Sequence, residues 1–413
     1  MKKILIFLGI LSSISLFAEA RLEKAQSQYV LFLEGTPYER GFQHGSLMKE
    51  QVQANIKNFI TNPPKNPGNN GQKDTRVQDF LKELPNIIPH IPQELMEEMH
   101  GVADGAGIDF QQILLLNVFP EMYHCLGLTT PANLSKDSHL YHVRVLEYRM
   151  GNGLQKTATL MVVKPSAGNG YVNVSYAGFI GSITGMNAQK IAIGEIGGQG
   201  YGNWNGIPMS FLMRMVLQYS NTLDEAKTYL KNSKRTCEYW YVISDGKTDD
   251  ATGIYATASQ INFVAPGEKF AYLAPGELPA NYLPNGTNDK FFLTNFTIDS
   301  SPYHTVIFGD DKMLKSAYIY PPEGFVLIVG CNTIRYPLIF EKILPKRSTD
   351  VIDEIELEKM MMEPIGRDSD LHNVIFQPAL GKLWIAHAGS SNEPAYSQPY
   401  EEFDMNKWFN QSK

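Results

Sequence analysis

Three residues in one stretch of this chain have the types that acyl chemistry needs: Cys125, Arg144 and Glu147. A cysteine is the most nucleophilic side chain near neutral pH, but only as the thiolate. A cysteine that begins a mature subunit carries its own base, because the freed α-amine titrates close to neutrality. Arg144 and Glu147 stand three apart in a short apolar segment, His142 to Tyr148, that reads as a strand. Alternation puts Arg144 and Tyr148 on one face, with Val145 and Glu147 on the other. A bulge or a strand end is therefore required to bring both charges to one sulfur. By spacing alone, such a set is more often a buried cysteine and a surface ion pair. His44 is a second candidate base, although a histidine in such a place is more often a hydrogen-bonded packing residue. The nine histidines are scattered, with no His-x-x-x-His or Cys-x-x-Cys pair, so neither a metal site nor a cofactor is expected.

The elements that must position these residues can be read in outline. Gln28 to Leu33 reads as a strand. Pro37 then fits the first turn of a helix with Thr36 as N-cap. Gly41 and Gly45, four apart, let that helix approach another element closely. Asn62 to Gln72, rich in Pro, Gly and Asn, is a loop. Val77 to Leu84 and Pro92 to Met99 are helical by spacing. Gly101 to Gly107 is a small-residue helix end, and the apolar run Ile113 to Phe119 leads to Cys125. Beyond Cys125 the character changes to strand-like runs: 140–148, 158–164, 172–177 and 191–194. Gly185-Met186-Asn187 reads as a tight turn. Gly197 to Gly206 reads as a mobile pocket lip, since it lacks the Gly-Lys-Ser/Thr ending of a phosphate loop. Helices are expected over 208–219, from Thr222, and over 350–362. Strands are expected over 239–244 and 253–258, with a closing hairpin from Val374-Ile-Phe-Gln-Pro and Lys382-Leu-Trp-Ile-Ala, and Tyr400-Glu-Glu-Phe as a tail.

The whole chain sets the frame. Lys2-Lys3, the apolar run Ile4 to Phe17 and Ala18-Glu19-Ala20 have the form of a secretory signal peptide, so residues 1–20 leave the fold argument and export to a periplasm or the exterior is expected. That run is short for a membrane span, and no later stretch is long and apolar enough to cross one. The net charge of −7 comes without a basic block or an Arg/aromatic stripe, which argues against nucleic acid as partner. Three cysteines leave one over: Cys237 and Cys331 could pair, or all three could be reduced and buried. The remaining chain, roughly 390 residues, is long enough for a large core in one domain or two.

The order of these motifs resembles the penicillin acyltransferase-like family of N-terminal-nucleophile hydrolases, which is related to bile-salt hydrolases and acid ceramidase. The family's opening has the form Gly-x-Pro-x-x-x-Gly-x-x-His-Gly, matched here by Gly35 to Gly45. Cys125 and Arg144-Val-Leu-Glu147 match its Cys and Arg-x-x-Asp signature, with Glu in place of Asp. Phe291-Phe-Leu-Thr-Asn295 and Cys331-Asn-Thr-Ile-Arg335-Tyr336 match its later Asn and Arg. The resemblance implies an α+β fold, a four-layer αββα sandwich. It implies self-cleavage before Cys125 into a helical segment, 21–124, and a catalytic segment, 125–413, that stay associated. It implies a small-molecule N-acyl substrate, attacked by Cys125. Arg144 would lower the thiol pKa and Glu147 would orient the α-amine. Asn295 and Asn187 would stabilise the oxyanion, with Arg335 as support. Two other readings stand beside it. One is a papain-like thiol hydrolase using His44, whose local Cys signature is absent. The other is an exported binding protein of the same fold with a dead site, for which Glu147 is the departure.

Overall fold

The computed structural model describes residues 20–62, 76–118, 124–148, 150–202, 204–268 and 365–409, with short pieces between 270 and 362. The expectations for the signal peptide, the loop after Asn62, Asn295, Cys331 and Arg335 fall outside the described residues.

Strands β1 (Arg21–Lys24) and β2 (Tyr29–Gly35) come first. Helix α1 (Pro37–Leu47) starts where its sequence says it should. The Thr36 hydroxyl accepts the Glu39 backbone N–H, and the Glu39 carboxylate takes the Thr36 N–H in return, at 2.8 Å. Helices α2 (Lys49–Asn55), α3 (Arg76–Ile87), α4 (Gln93–Ala106) and α5 (Phe110–Val118) follow. The glycine spacing on α1 has its counterpart on α4. A Cβ on Gly41 or Gly45 would collide with the carbonyls of Glu98 or Val102, and one on Gly101 or Gly105 would collide with those of Tyr38 or Phe42. Two backbones therefore touch along paired small-residue faces. Gly107, at φ 66, ends α4 in the left-handed conformation that only glycine adopts freely.

After these helices come β3 (His124–Thr130), β4 (Tyr141–Glu147), β5 (Ala158–Pro165), β6 (Tyr171–Tyr176), β7 (Thr184–Asn187) and β8 (Ile191–Gly202). Then come α6 (Met209–Tyr219), α7 (Leu223–Asn232), β9 (Cys237–Asp245), β10 (Asp250–Ala256) and β11 (Ile261–Val264). Two short ribbons pair β12 (Phe270–Ala271) with β15 (Tyr318–Ile319) and β13 (Phe308–Gly309) with β14 (Leu314–Ser316). The described chain closes with β16 (Val326–Val329), α8 (Glu354–Met360), β17 (Asp370–Gln377), β18 (Lys382–His387), β19 (Glu401–Asp404) and α9 (Asn406–Phe409).

Two large sheets result. One has nine strands in the order β1-β2-β5-β6-β7-β8-β9-β10-β11, and the other six in the order β16-β3-β4-β17-β18-β19. Every neighbouring pair in both sheets is antiparallel except β2 with β5. Alternation separates the layers. Val30, Leu160, Val162, Val172 and Val174 of the nine-stranded sheet pack against Val374, Phe376, Leu383 and Ile385 of the six-stranded one. The opposite residues of the same strands, such as Leu31, Leu33, Met161 and Val163, share a core with α1 to α7. On the far side of the six-stranded sheet, Leu126, Leu128, Val143 and Val145 pack under Leu357 and Met360 of α8. The molecule is an α+β, four-layer αββα sandwich, as expected.

Several local expectations differ. Gly185-Met186-Asn187 is the end of strand β7, and the turn lies after it, with Lys190 at φ 66. The glycine-rich stretch from Gly197 continues β8 as far as Gly202, with a slip of register against β9. Tyr400-Glu-Glu-Phe lies largely in edge strand β19 rather than in a loose tail. The strand expected from Gln28 to Leu33 is present in the otherwise helical segment before Cys125: β2 pairs along seven residues with β5 and carries β1 beside it. Both segments therefore build one sheet.

Candidate active site

Cys125 lies in the first turn of pairing between β3 and β4. It faces Leu146, with His124 opposite Glu147 and Gly127 opposite Arg144. Gly127 lets the sheets close up beside it, since a Cβ there would come within 2.7 Å of Val242 and 2.8 Å of Ile196. Cys125 is fully buried. Burial pushes its thiol up to about 12; the charges of Glu195 and Glu147 push the same way. Arg144 and the backbone N–H of Glu147 oppose them.

Arg144 is fully buried on β4, pointing between the sheets with His142 and Leu146. Its Nη1 donates to the Val145 carbonyl, and its Nη2 donates to Glu195 Oε2 at 3.4 Å. Gly194 makes room for it, because a Cβ there would lie 2.9 Å from Arg144 Cδ. Glu147 is the last residue of β4. Opposite it, β17 slips register between Asp370 and His372. The strand end and the slip that alternation demanded are both present, and Arg144 and Glu147 both act electrostatically on the one sulfur.

A narrow slot opens beside this cluster. Its empty space is about 400 Å3 counting the open mouth. Leu146, Leu154, Phe179 and Ile183 give it apolar walls, with Tyr176 and Ser210 among the polar lining.

Two expected residues are placed elsewhere. Asn187 spends both amide hydrogens on the carbonyls of Leu217 and Ser220, at 2.8 and 2.7 Å, and its Oδ1 accepts the Ile191 N–H at 2.9 Å. It ties the end of α6 to the β7–β8 turn and has no N–H left for an oxyanion. His44 accepts the Gly178 N–H at 2.9 Å, is buried, and has its pKa lowered to about 4 by that burial. It is a neutral packing residue and is not among the groups acting on the Cys125 thiol. Asn295 and Arg335 lie outside the described residues. Glu195 escaped the sequence reading. Its signal was an acid in an otherwise apolar strand, Ile-Ala-Ile-Gly-Glu-Ile, where a carboxylate is tolerated only with a buried partner. Among the described residues, no group of His, Cys, Asp or Glu is arranged to hold a metal ion. No described helix is long and apolar enough to cross a membrane.

With this geometry in hand, comparison with known proteins gives a consistent picture. Residues 152–267 match the family model of acyl-coenzyme A:6-aminopenicillanic acid acyl-transferase. Protein dcd1A of Dictyostelium discoideum is 27% identical over 53% of this chain and 56% of its own length. Acid ceramidase of Rattus norvegicus is 24% identical over 54% of this chain and 61% of its own. The chain thus spans little more than half the length of these curated relatives. A solved Caenorhabditis elegans N-acylethanolamine-hydrolyzing acid amidase ortholog aligns over 68% of this chain and 99% of its own, at 13% identity and a TM-score of 0.39. The resemblance read from the motifs is borne out by the family match and the acid ceramidase relatives. The matched stretch begins after Glu147 and so covers none of Cys125, Arg144 and Glu147.

Proposed function

We propose that this relative of the acyltransferase-like N-terminal-nucleophile hydrolases is an exported cysteine amidohydrolase that processes itself and then cleaves an N-acyl amide. The observation that carries the reading is the setting of Cys125: one buried sulfur, acted on by Arg144, Glu147 and Glu195, whose cross-strand neighbour Leu146 lines a largely apolar slot. The family match and the acid ceramidase relatives support the reaction class.

The chemistry runs in two stages. In the intact chain the Cys125 Sγ attacks the His124 carbonyl carbon, the peptide C–N bond breaks, and the nitrogen leaves as the α-amine of Cys125. Water opens the resulting thioester, giving a carboxylate on His124 and a free thiol. In turnover that α-amine takes the thiol proton. The sulfur attacks the substrate carbonyl, the amine leaves with a proton, and water or an acceptor amine releases the acyl group. Arg144 favours the thiolate and is itself held by Glu195. Glu147, at the strand end, orients the new amine. Asn295 is the proposed oxyanion donor, a role that in related sites is worth roughly 3 kcal/mol of barrier, and Arg335 a support. Asn187 is given no such role, because its amide is fully engaged.

Mass analysis of the purified protein tests this. Two associated fragments are expected, the larger beginning at Cys125. The Cys125→Ala variant should remain a single folded chain without turnover. A single intact chain that is nevertheless active would refute self-processing. Acyl hydrolysis retained in Cys125→Ala would refute the nucleophile.

A further inference from the structure

A polar group sits in the wall of the slot that the reaction above does not use. Cys125 faces Leu146, Leu146 faces His372, and His372 faces His387, so the four form one row across β3, β4, β17 and β18. The His372 position is thus two strand spacings, about 9–10 Å, from that of Cys125 along the row. From the other sheet, Tyr176 reaches down to this row. Its hydroxyl lies 2.9 Å from His372 Nδ1, and the other ring nitrogen, Nε2, lies 3.0 Å from Thr184 Oγ1. Tyr176, His372 and Thr184 are all buried, and Tyr176 lines the slot together with Leu146.

We propose that Tyr176, held by His372, is a specificity-determining residue: it hydrogen-bonds an oxygen substituent carried several bonds along an acyl chain whose carbonyl meets Cys125. This rests on the reading of Cys125 as the acyl-accepting nucleophile. The distance along the row sets the place of the substituent, beyond the carbonyl and past Leu146. The triad also sets its chemistry. When Tyr176 donates to Nδ1, its oxygen is left to accept from a ligand hydroxyl. When His372 carries its proton on Nδ1 and donates to the Tyr176 oxygen, the tyrosine O–H is left to donate to a ligand hydroxyl or carbonyl. Thr184 follows either arrangement by rotating its hydroxyl. No charge is created in either state. Burial, with His387 and Arg144 nearby, holds the His372 pKa well below the ordinary range. Burial likewise holds that of Tyr176 well above. A plain saturated chain leaves this polar group without a ligand partner, and a substituted chain supplies one.

The test uses the full wild-type chain after processing, with the Cys125 sulfur capped by methylthiolation, so that binding is read in the cleaved protein without turnover. Calorimetry compares N-ethyl amides of a medium-length straight-chain acid, either plain or with one hydroxyl or keto oxygen moved stepwise along the chain. One position a few bonds beyond the carbonyl is expected to bind about three- to tenfold more tightly than the plain chain. Adding Tyr176→Phe should erase that difference. His372→Gln should shrink it. If no position improves binding, or if the improvement survives Tyr176→Phe in protein that circular dichroism shows to be folded, the proposal fails. The walk along the chain carries the test even if the Phe variant does not fold. Failure of the amidase reading looks different: wild-type protein would cleave none of these amides, while the binding contrast would remain.

Discussion

At Cys125 the intact chain works against the thiolate. With its thiol pushed up to about 12, chiefly by burial, the sulfur is protonated at neutral pH and Arg144 does not offset the cost. The intact chain should therefore resist thiol reagents at pH 7. Labelling should appear with cleavage, when an amine forms on the same residue. The labelling rate of cleaved protein against pH is expected to give an apparent pKa below about 8.5, the value for a free cysteine. Fast labelling of the intact chain would contradict this. Glu147 tests the site from another side. It keeps the charge of the family's Asp on a longer arm, at the end of β4. Glu147→Gln should lower kcat by about tenfold or more, the loss expected when a positioned ionised partner is removed. Glu147→Asp should have a mild effect. Equal and near-normal rates in both would make the carboxylate a bystander.

At the scale of elements, the α1–α4 contact fixes how the helical layer lies on the nine-stranded sheet. The two backbones meet through Gly41, Gly45, Gly101 and Gly105, so a methyl group has nowhere to go. Gly101→Ala would drive a Cβ into the Tyr38 carbonyl and to 2.6 Å from the Phe42 nitrogen. The helices must then separate, at a cost of about 1–3 kcal/mol or more. Gly151→Ala is the control, because nothing lies within 4 Å of its added Cβ. It should change stability by less than about 0.5 kcal/mol. Urea denaturation of both variants decides. Equal midpoints would show that the helix pair relaxes without cost.

At the scale of the molecule, the proposed cleavage falls inside one fold rather than between two. β2 lies between β1 and β5 in the sheet, so a fragment ending at His124 stays paired to the rest by a seven-residue parallel register. Charge ties the same halves together. Glu98 on α4 receives Arg40 at 2.6 Å and Arg214 of α6 at 3.2 Å, all buried, with Arg214 4.2 Å over the Tyr171 ring. The fragments are expected to co-elute on gel filtration and to part only in denaturant.

The buried histidines give the molecule a pH dependence. His44 is held at about 4, and His142 and His387 at about 3, in each case first by burial. In the unfolded chain they titrate near 6.5, so on acidification the unfolded state takes up protons that the folded state refuses. Their contribution to stability is complete above about pH 6.5 and is lost progressively as pH falls toward about 4 for His44 and about 3 for His142 and His387. Urea midpoints measured from pH 7.5 down to 5 should decline. A flat profile would show that these rings protonate freely in the fold.

What the sequence determined by itself was mostly local. Thr36, Pro37 and Glu39 specify the start of α1, because a capping box needs only neighbours. The apolar runs 158–164 and 172–177 specify strands, and the spacing of Gly41 and Gly45 announces a close approach. Alternation in β4 even stated the problem at the site, that Arg144 and Glu147 need a strand end or a slip to share one sulfur. What it could not state was which slip, because that lies in β17, more than 200 residues later. Tertiary structure alone decided that Asn187 is spent on α6, that Glu195 is the partner of Arg144, and that Tyr176 meets His372 beside the slot. Each depends on two strands or layers meeting at a given register, and register between distant segments is fixed by packing of the whole core rather than by any run of neighbouring residues.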